Sequence, residues 1–453
     1  MPYIGTAPSS ELANLDINGQ KLVLDADADT SITADTDDTI DIEIAGADDF
    51  KITANTFTAA TGSIVALPDG AVATPTLTNT GDLNTGVYFP AADTVGITAG
   101  GTEQFRFGSN PIPGGSKNLV VNGNFTVSQR GTSFADPANN AYTMDRWTGF
   151  RDSTSAAYTV TQDTSGVFAA FGTDTALKVD VTTADTSIAS DMRCNIETRL
   201  EAQNLQHLNW GNAAAKDLTL SFCFRSPKSG THVVVLYAQD GTRHQAQTFT
   251  VASADTAEYF SLTFAGDTGG TINNDTGAGM FVYFPLCVGS SEADGTIGSW
   301  AAGQKYSASG AQNLLDDAAN NIYIGLVQLE VGSVATDFAH EDIGTTIAKC
   351  QRYYVKWTTA GEVSLSGACR GTSTGLVGGL DLPVTMRSAP TMTWGTFNTI
   401  DSSASGVDGT LSTNVAGTRS VSAAVGSGSG YTDGNGLYCE LKSGQTLQAS
   451  AEL

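Results

Sequence analysis

The sequence predicts an all-β protein: an elongated fibre with an intertwined multi-chain β shaft, a central jelly-roll or β-sandwich domain and a small C-terminal β-sandwich domain. Short runs of alternating apolar and polar residues recur along the chain, which is typical of half-buried strands. The 453 residues include 50 glycines, several of them beside Asp in turn-like clusters. Leu, Glu, Lys and Arg, which long helices favour, are scarce.

The chain is strongly acidic, and this excludes several classes of protein. It has 22 basic and 47 acidic residues, a net charge of −25 and a pI of about 4.2. Proteins that bind nucleic acid or anionic membranes need clustered Lys and Arg, so neither partner is expected. No apolar run reaches the ~20 residues of a membrane-spanning helix, which argues against membrane insertion. Six scattered cysteines without a Cys-x-x-Cys pair predict reduced thiols and synthesis in a cytosol.

Residues 16–109 are predicted to form the β shaft. Each predicted strand has one thin apolar face of Ile, Val or Phe, and a single copy of about 35 such residues cannot bury enough surface to fold alone. Neighbouring subunits are the economical source of the missing cover. The sequence therefore predicts a shaft built from several chains. The predicted strands cover residues 22–30, 31–35, 39–44, 86–90, 94–97 and 102–107.

The remaining chain divides by composition. Residues 1–15 are small and polar and form a predicted N-terminal arm, and the Pro- and Gly-rich residues 110–117 form a linker. Residues 118–343 contain long β-type runs separated by turn clusters, which predicts the central jelly roll. One short helix is predicted near 345–354, with Thr345 or Thr346 as its cap. Residues 344–453 contain this helix and the C-terminal β domain.

Several sequence motifs follow one another along the chain. They are Asp25–Thr30, Gly46–Ile52, Thr85–Pro90, Thr102–Arg106, Asn118–Phe125 with Gln129–Gly131 and Asp145–Trp147, Val327–Gly332, Cys350–Tyr354 and Leu382–Pro390. These motifs resemble tail fibre proteins of tailed bacteriophages, of the type found in phages of aquatic bacteria. The opening of the central domain resembles the start of a fibre jelly-roll module, which is itself similar to carbohydrate-binding domains. The resemblance covers most of the chain in order.

The resemblance implies a homotrimer located in the virion. It implies attachment to a phage tail or baseplate protein through the N-terminus, the predicted role of residues 1–15. It also implies adsorption to the bacterial host through the C-terminal part, by binding a surface glycan or protein. Two alternatives stay open: a tailspike-type polysaccharide depolymerase, and a head or baseplate decoration protein.

The trimer predicted from this resemblance gives two groups of residues a role. Asp25, Asp27 and Asp29 alternate with Ala, so an extended strand would send all three carboxylates to one face. If that face is exposed, the carboxylates are simply solvated; if three chains bring them together, they would recruit calcium, which accepts six to eight oxygens. In the helix, Ile347, Cys350 and Tyr354 share one face, which is predicted to meet a threefold axis.

Two tryptophans are the candidate receptor-binding residues. Trp357 and Trp394 belong to the C-terminal domain, and a flat indole ring suits the CH groups of a sugar. Core packing is the competing interpretation, and it is the preferred one for Trp147 in the central domain.

The sequence predicts no enzyme and no cofactor apart from structural calcium. Gly371–Gly375 fits the Gly-x-Ser-x-Gly pattern of a hydrolase, but all four histidines precede Ser373 and no helix pattern follows it. The histidines lack the spacing of a transition-metal site. The calcium loop of an EF-hand is excluded because its sixth and twelfth positions would be Thr30 and Thr36.

Overall fold

A computed structural model describes residues 19–34, 36, 38–107, 117–358, 363–369, 375–401, 407–427 and 431–453. The chain divides into two compact units, 1–111 and 112–453. The all-β class is confirmed, with 46% of residues in strands and 5% in helices. The predicted arm at 1–15, residues 110–116 of the predicted linker and residues 371–374 of the Gly-x-Ser-x-Gly segment lie outside the described residues.

The N-terminal unit contains two antiparallel sheets. The first has the order β1-β2-β3-β4-β5 and the second the order β6-β7-β8-β9. Both are meanders, because consecutive strands pair through short turns. The strands are β1 Leu22–Val23, β2 Ser31–Thr33, β3 Thr39–Ile44, β4 Ala47–Thr53, β5 Thr56–Ala59, β6 Leu77–Asn79, β7 Asp82–Tyr88, β8 Val95–Ala99 and β9 Thr102–Phe107.

The register of the first sheet separates apolar from polar side chains. Ile40 pairs with Ile52, and Ile52 with Phe57, so apolar residues from adjacent strands fall on one side. The apolar face consists of Leu22, Ile32, Ile40, Ile42, Ile44, Phe50, Ile52 and Phe57. The polar face consists of Ser31, Thr33, Asp41, Glu43, Lys51 and Thr58.

The central domain is a β-sandwich of two antiparallel sheets. The six-stranded sheet has the order β10-β13-β14-β22-β16-β19 and the seven-stranded sheet the order β11-β12-β15-β20-β17-β18-β21. The strands are β10 Ser133–Ala135, β11 Ala141–Tyr142, β12 Trp147–Asp152, β13 Ala157–Asp163, β14 Ala176–Thr183, β15 Arg193–Glu201, β16 Leu218–Arg225, β17 Gly230–Ala238, β18 Arg243–Val251, β19 Glu258–Phe264, β20 Ala278–Val288, β21 Ala301–Ala302 and β22 Asn321–Val331. Two 3-10 helices, Ala169–Phe171 and Ala202–Leu208, lie in its connections.

The core between these sheets is large and aromatic. Trp147 is fully buried, in contact with Phe125 and Phe284, which confirms its predicted core role.

The opening motif of the domain is hydrogen-bonded to β22. The Asn118 amide donates to the carbonyl of Val327, and its oxygen accepts from the amide of Leu329. Gly123 allows the chain to approach, since a Cβ there would lie 1.9 Å from the Val327 oxygen.

One α-helix, α1 Ile343–Gln351, follows the sandwich. It starts two residues before the predicted position. The predicted cap at Thr345 or Thr346 is wrong: Asp342 is the cap, and its carboxylate accepts from the amides of Gly344 and Thr345. An Asp side chain two or three residues before these amides is well placed to accept both bonds.

The C-terminal strands form a three-stranded sheet and a closed barrel. The sheet has the order β23-β31-β26, and the barrel the order β24-β25-β29-β28-β27-β30. The predicted small sandwich is thus a barrel, because β24 pairs with both β25 and β30 and leaves no open edge. The strands are β23 Tyr354–Trp357, β24 Ser364–Cys369, β25 Gly375–Asp381, β26 Thr391–Thr393, β27 Thr396–Asp401, β28 Val407–Ala416, β29 Ser420–Ser427, β30 Gly436–Leu441 and β31 Leu447–Ser450.

A network of charged residues joins these C-terminal elements to the sandwich. Glu452 is paired with Arg130, at 3.0 Å, and with Arg146, whose side chain is 2% exposed. Glu201 is equally buried and accepts from Arg352 at 2.6 Å and from the Tyr353 hydroxyl at 2.8 Å. We call this contact, formed by Arg130, Arg146, Glu201, Arg352, Tyr353 and Glu452, the seam.

The predicted role of the helix face at a threefold axis is wrong. Cys350 is fully buried, and Tyr354 nearly so, within the single chain. The predicted helix is also too long, because α1 ends at Gln351 and Tyr354 begins β23. The Arg130 guanidinium lies 3.4 Å from the centre of the Tyr354 ring, so Tyr354 packs on the sandwich of its own chain. Burial raises the pKa of the Cys350 thiol well above its usual value.

Candidate functional site

The two predicted receptor-binding tryptophans lie at the junction of the three-stranded sheet and the barrel. Trp357 ends β23 opposite Leu447 of β31, and Trp394 directly follows β26, whose Thr393 pairs with the next residue of β31. Both rings are half-buried, and both pack against the same two apolar clusters, one inside the barrel and one beneath the sheet. The structure therefore brings the two residues to one region of the surface. We call this region the tryptophan site.

The ring of Trp394 is held in place by polar and aromatic contacts. Its indole nitrogen donates to the hydroxyl of Thr413 at 3.0 Å, and its ring centre lies 6.0 Å from that of Phe397. The N–H group is used within the chain, so the exposed part of the ring offers a flat apolar surface. Such a surface can stack on the CH face of a sugar ring or on another apolar group.

The three predicted calcium ligands occupy a different geometry from the expected one. Residues 24–30 form the loop between β1 and β2, so the prediction of an extended strand is wrong. Ala28 has φ of 63°, which turns the chain and still gathers the side chains. One carboxylate oxygen each of Asp25, Asp27 and Asp29 lies within 4.8 Å of the others.

Hydrogen bonds shift the pKa values of Asp25 and Asp29 in opposite directions. The hydroxyl and amide of Thr30 lower the pKa of the Asp25 carboxyl, with the amide 3.2 Å away. A hydrogen bond shared with Asp25 raises the pKa of Asp29. Asp25 and Asp27 are exposed and Asp29 is half-buried. Carboxylate oxygens such as theirs are of the kind that calcium prefers. Calcium binding stays a prediction.

The apolar face of the N-terminal unit is the second candidate site. Six of its eight side chains are exposed, including Ile40 at 44% and Phe57 at 58%. Phe50 and Phe57 stack with ring centres 5.5 Å apart. Among the described side chains of residues 19–104, Tyr88 is the one large apolar group that is buried. In contrast to the sandwich, this unit has no hydrophobic core of its own in the described residues.

Sequence reasoning missed a third group, on the outer side of the seven-stranded sheet. Glu197 of β15 is buried there, opposite Thr148 and Tyr283 on the neighbouring strands. Its carboxylate accepts from Asn195 at 2.8 Å and from Arg199 at 3.0 Å. The hydroxyl of Thr148 and the amide oxygen of Asn195 are buried without a partner in the described part of the chain. The signal was the alternation of Arg193, Asn195, Glu197, Arg199 and Glu201 with apolar or small residues.

The chain's own residues cover this outer face. Tyr306 stacks on Tyr283 and on Phe150, with ring centres 5.2 Å and 5.5 Å apart. Gln304 donates to the Tyr283 hydroxyl at 2.8 Å. The aromatic row is thus closed by the segment that follows β21, and it is not available to a ligand.

Within the part of the chain that the structure describes, no helix is long and apolar enough to cross a membrane.

No protein-family model and no curated protein matches the chain. Among solved structures, it is similar to the enzymatically active domain of tailspike protein 4 of bacteriophage CBA120, with 11% identity and a TM-score of 0.25. That match covers 48% of this chain and 21% of the tailspike chain. TmCBM61 in complex with beta-1,4-galactotriose is 10% identical to this chain, with a TM-score of 0.23. That match covers 48% of this chain and 99% of TmCBM61. The xylan-binding domain from CBM 22 is 13% identical to this chain, with a TM-score of 0.23. That match covers 46% of this chain and 99% of the xylan-binding domain. These matches assign the chain to no family.

Proposed function

We propose that this chain is a structural protein of a bacteriophage virion, a homotrimeric tail fibre. Its N-terminus attaches to the tail or baseplate, and its C-terminal part binds a glycan on the bacterial surface without cleaving it. The observation that carries this proposal is the exposed apolar face of the N-terminal unit, which buries almost no large apolar side chain in its described residues. A unit that buries almost none of its large apolar side chains is stable only when other chains cover them.

Self-association is tested on the apolar face by Ile52→Asp. A carboxylate placed there would have to be buried in the subunit contact, so the variant should be monomeric by light scattering. Thr58→Asp is the matched control, because Thr58 is exposed on the polar face of the neighbouring strand. The control should stay trimeric. A wild-type chain that is folded and monomeric at 46.8 kDa would overturn the proposal.

Glycan binding is tested at the tryptophan site. Replacing Trp394 or Trp357 by Ala removes a stacking surface, and binding to host envelope polysaccharide should weaken about tenfold or more, or ~1.4 kcal/mol. Tyr438→Ala is the control, since Tyr438 is 42% exposed on the outside of the barrel. Retention on a polysaccharide column measures the effect. Equal losses in all three variants would contradict a role specific to the two tryptophans.

The same preparations separate the two alternative functions. A depolymerase would release reducing sugar from host envelopes, whereas the proposed fibre would bind them and leave them intact. A decoration protein could be deleted from the phage with unchanged adsorption, whereas deletion of the proposed fibre abolishes adsorption.

A further inference from the structure

The N-terminal unit has a second uncovered apolar surface, between its two sheets. Residues 63–68, which we call the connecting segment, join the end of β5 to the turn before β6. Ile64 is 81% exposed, and Val65 and Leu67 are also exposed. Within the described part of the chain, the backbone groups of residues 64–67 have no hydrogen-bond partner. The segment thus leaves both its side chains and its peptide groups available.

An interface needs apolar surface on both partners, and this unit offers two such surfaces. The connecting segment presents three exposed apolar side chains, Ile64, Val65 and Leu67. The apolar face presents six, Leu22, Ile32, Ile40, Ile44, Ile52 and Phe57. Exposed apolar patches of this kind mark interaction surfaces.

Charge favours a contact between these two surfaces in particular. The chain carries −25, so two copies repel each other wherever their acidic residues meet. Residues 54–68 contain no charged residue, and the apolar face contains none either. These are therefore surfaces through which like-charged copies can approach at little electrostatic cost.

We propose that the connecting segment of one copy packs on the apolar face of the β1–β5 sheet of a second copy. This inference rests on the self-association proposed above and names its contact. Each copy has one segment and one face. Its segment packs on the face of one neighbour, and its face is covered by the segment of the other neighbour. Such a head-to-tail arrangement closes into a ring when the rotation between copies permits it. Three copies would then cover three faces and leave no segment exposed.

Cysteine cross-linking between two differently tagged variants tests this contact. One variant is Ile64→Cys and the other Ile40→Cys, and they are co-expressed and mildly oxidised. The six native cysteines are buried and do not compete in the folded protein. We expect a disulfide-linked pair that carries both tags. The control pairs Ile64→Cys with Val415→Cys, whose position is 63% exposed in the C-terminal unit, and should give no such product.

Leu67→Cys with Ile52→Cys provides a second pair, so an unsuitable geometry at one position does not decide the result. If the chain is trimeric by light scattering but neither pair forms a product with both tags, the inference is wrong and the proposed trimer stands. If Ile40→Cys instead links to its own kind, the faces meet each other, and the inference is again wrong. A chain that stays monomeric overturns both proposals.

Point variants provide an independent measurement. Ile64→Asp places a charge in the proposed contact and should dissociate the trimer at micromolar concentration. Thr61→Asp, at an exposed position just before the segment, should leave it intact. Equal behaviour of the two variants would contradict the proposed contact.

Discussion

At the scale of single residues, the seam contains a buried ion pair between Arg146 and Glu452. Burial lowers the pKa of Arg146, but the Glu452 carboxylate raises it, and the net shift is upward. The guanidinium also donates to the backbone oxygen of Arg199 at 2.6 Å and lies 3.6 Å from the centre of the Tyr353 ring. Arg146 is therefore charged and almost inaccessible to water. The folded protein can hold this buried charge because the Glu452 carboxylate is paired with it.

Replacing Glu452 by Gln should lower the free energy of unfolding by about 3–5 kcal/mol, because it leaves the buried Arg146 charge unpaired. Urea unfolding followed by tryptophan fluorescence measures this change. Lys442→Gln is the control, because it removes an exposed pair with Asp408 and should cost at most about 1 kcal/mol. Similar losses in both variants would show that the pair at the seam is not the source of the effect.

The acidic loop gives a second prediction at this scale. If Asp25, Asp27 and Asp29 hold calcium, a chelator should lower the melting temperature of the assembled protein. Asp27→Asn removes one charge and should abolish this sensitivity while the protein still assembles. If wild-type protein melts at the same temperature with and without chelator, the loop is a solvated group of acids.

At the scale of elements, the helix between sandwich and barrel depends on its cap. Asp342→Ala removes the acceptor for two amides and should cost about 0.5–2 kcal/mol in urea unfolding. Asp342→Asn keeps an oxygen in the same place, so it should lower the free energy of unfolding by less than Asp342→Ala does. A loss in the Asn variant equal to that of the Ala variant would contradict the capping role.

Local patterns predicted the elements well, but not how distant elements meet. The alternation of Thr39–Ile44 indicated a strand with one apolar face, and the structure shows that strand. The repeat of Asp and Ala at 25–29 looked equally regular, yet Ala28 takes a left-handed conformation that ends the alternation. The barrel was missed because its closure pairs β24 with β30, and residues this distant in sequence leave no local signal.

The tryptophan site was predictable in composition but not in arrangement. Trp357 and Trp394 were identified because aromatic rings suit sugars, and no local pattern indicated that β31 would place them in one region. Cys350 was identified correctly as an apolar position of the helix, but Tyr354 begins β23 and is not part of it. The partner of Tyr354 was missed because Arg130 lies more than 200 residues earlier in the chain.

At the scale of the whole molecule, charge opposes assembly. A trimer would carry 3 × −25 = −75 formal charges. The range of electrostatic repulsion falls from about 30 Å at 0.01 M salt to about 10 Å at 0.1 M. We therefore expect the trimer to dissociate more readily at low salt, as measured by sedimentation velocity at several protein concentrations. Tighter association at low salt would indicate that opposite charges, rather than apolar surfaces, hold the subunits together.

The seam also has a consequence for the order of folding. Arg130 and Glu452 are separated by 322 positions, and β31, the middle strand of its sheet, belongs to the last residues of the sequence. Contacts between such distant positions form slowly, because a long loop must close before they form. During synthesis, the sandwich can complete its core while the strand that joins it to the barrel has not yet been translated. Refolding should thus show a fast phase for the sandwich and a slower phase that Glu452→Gln delays further.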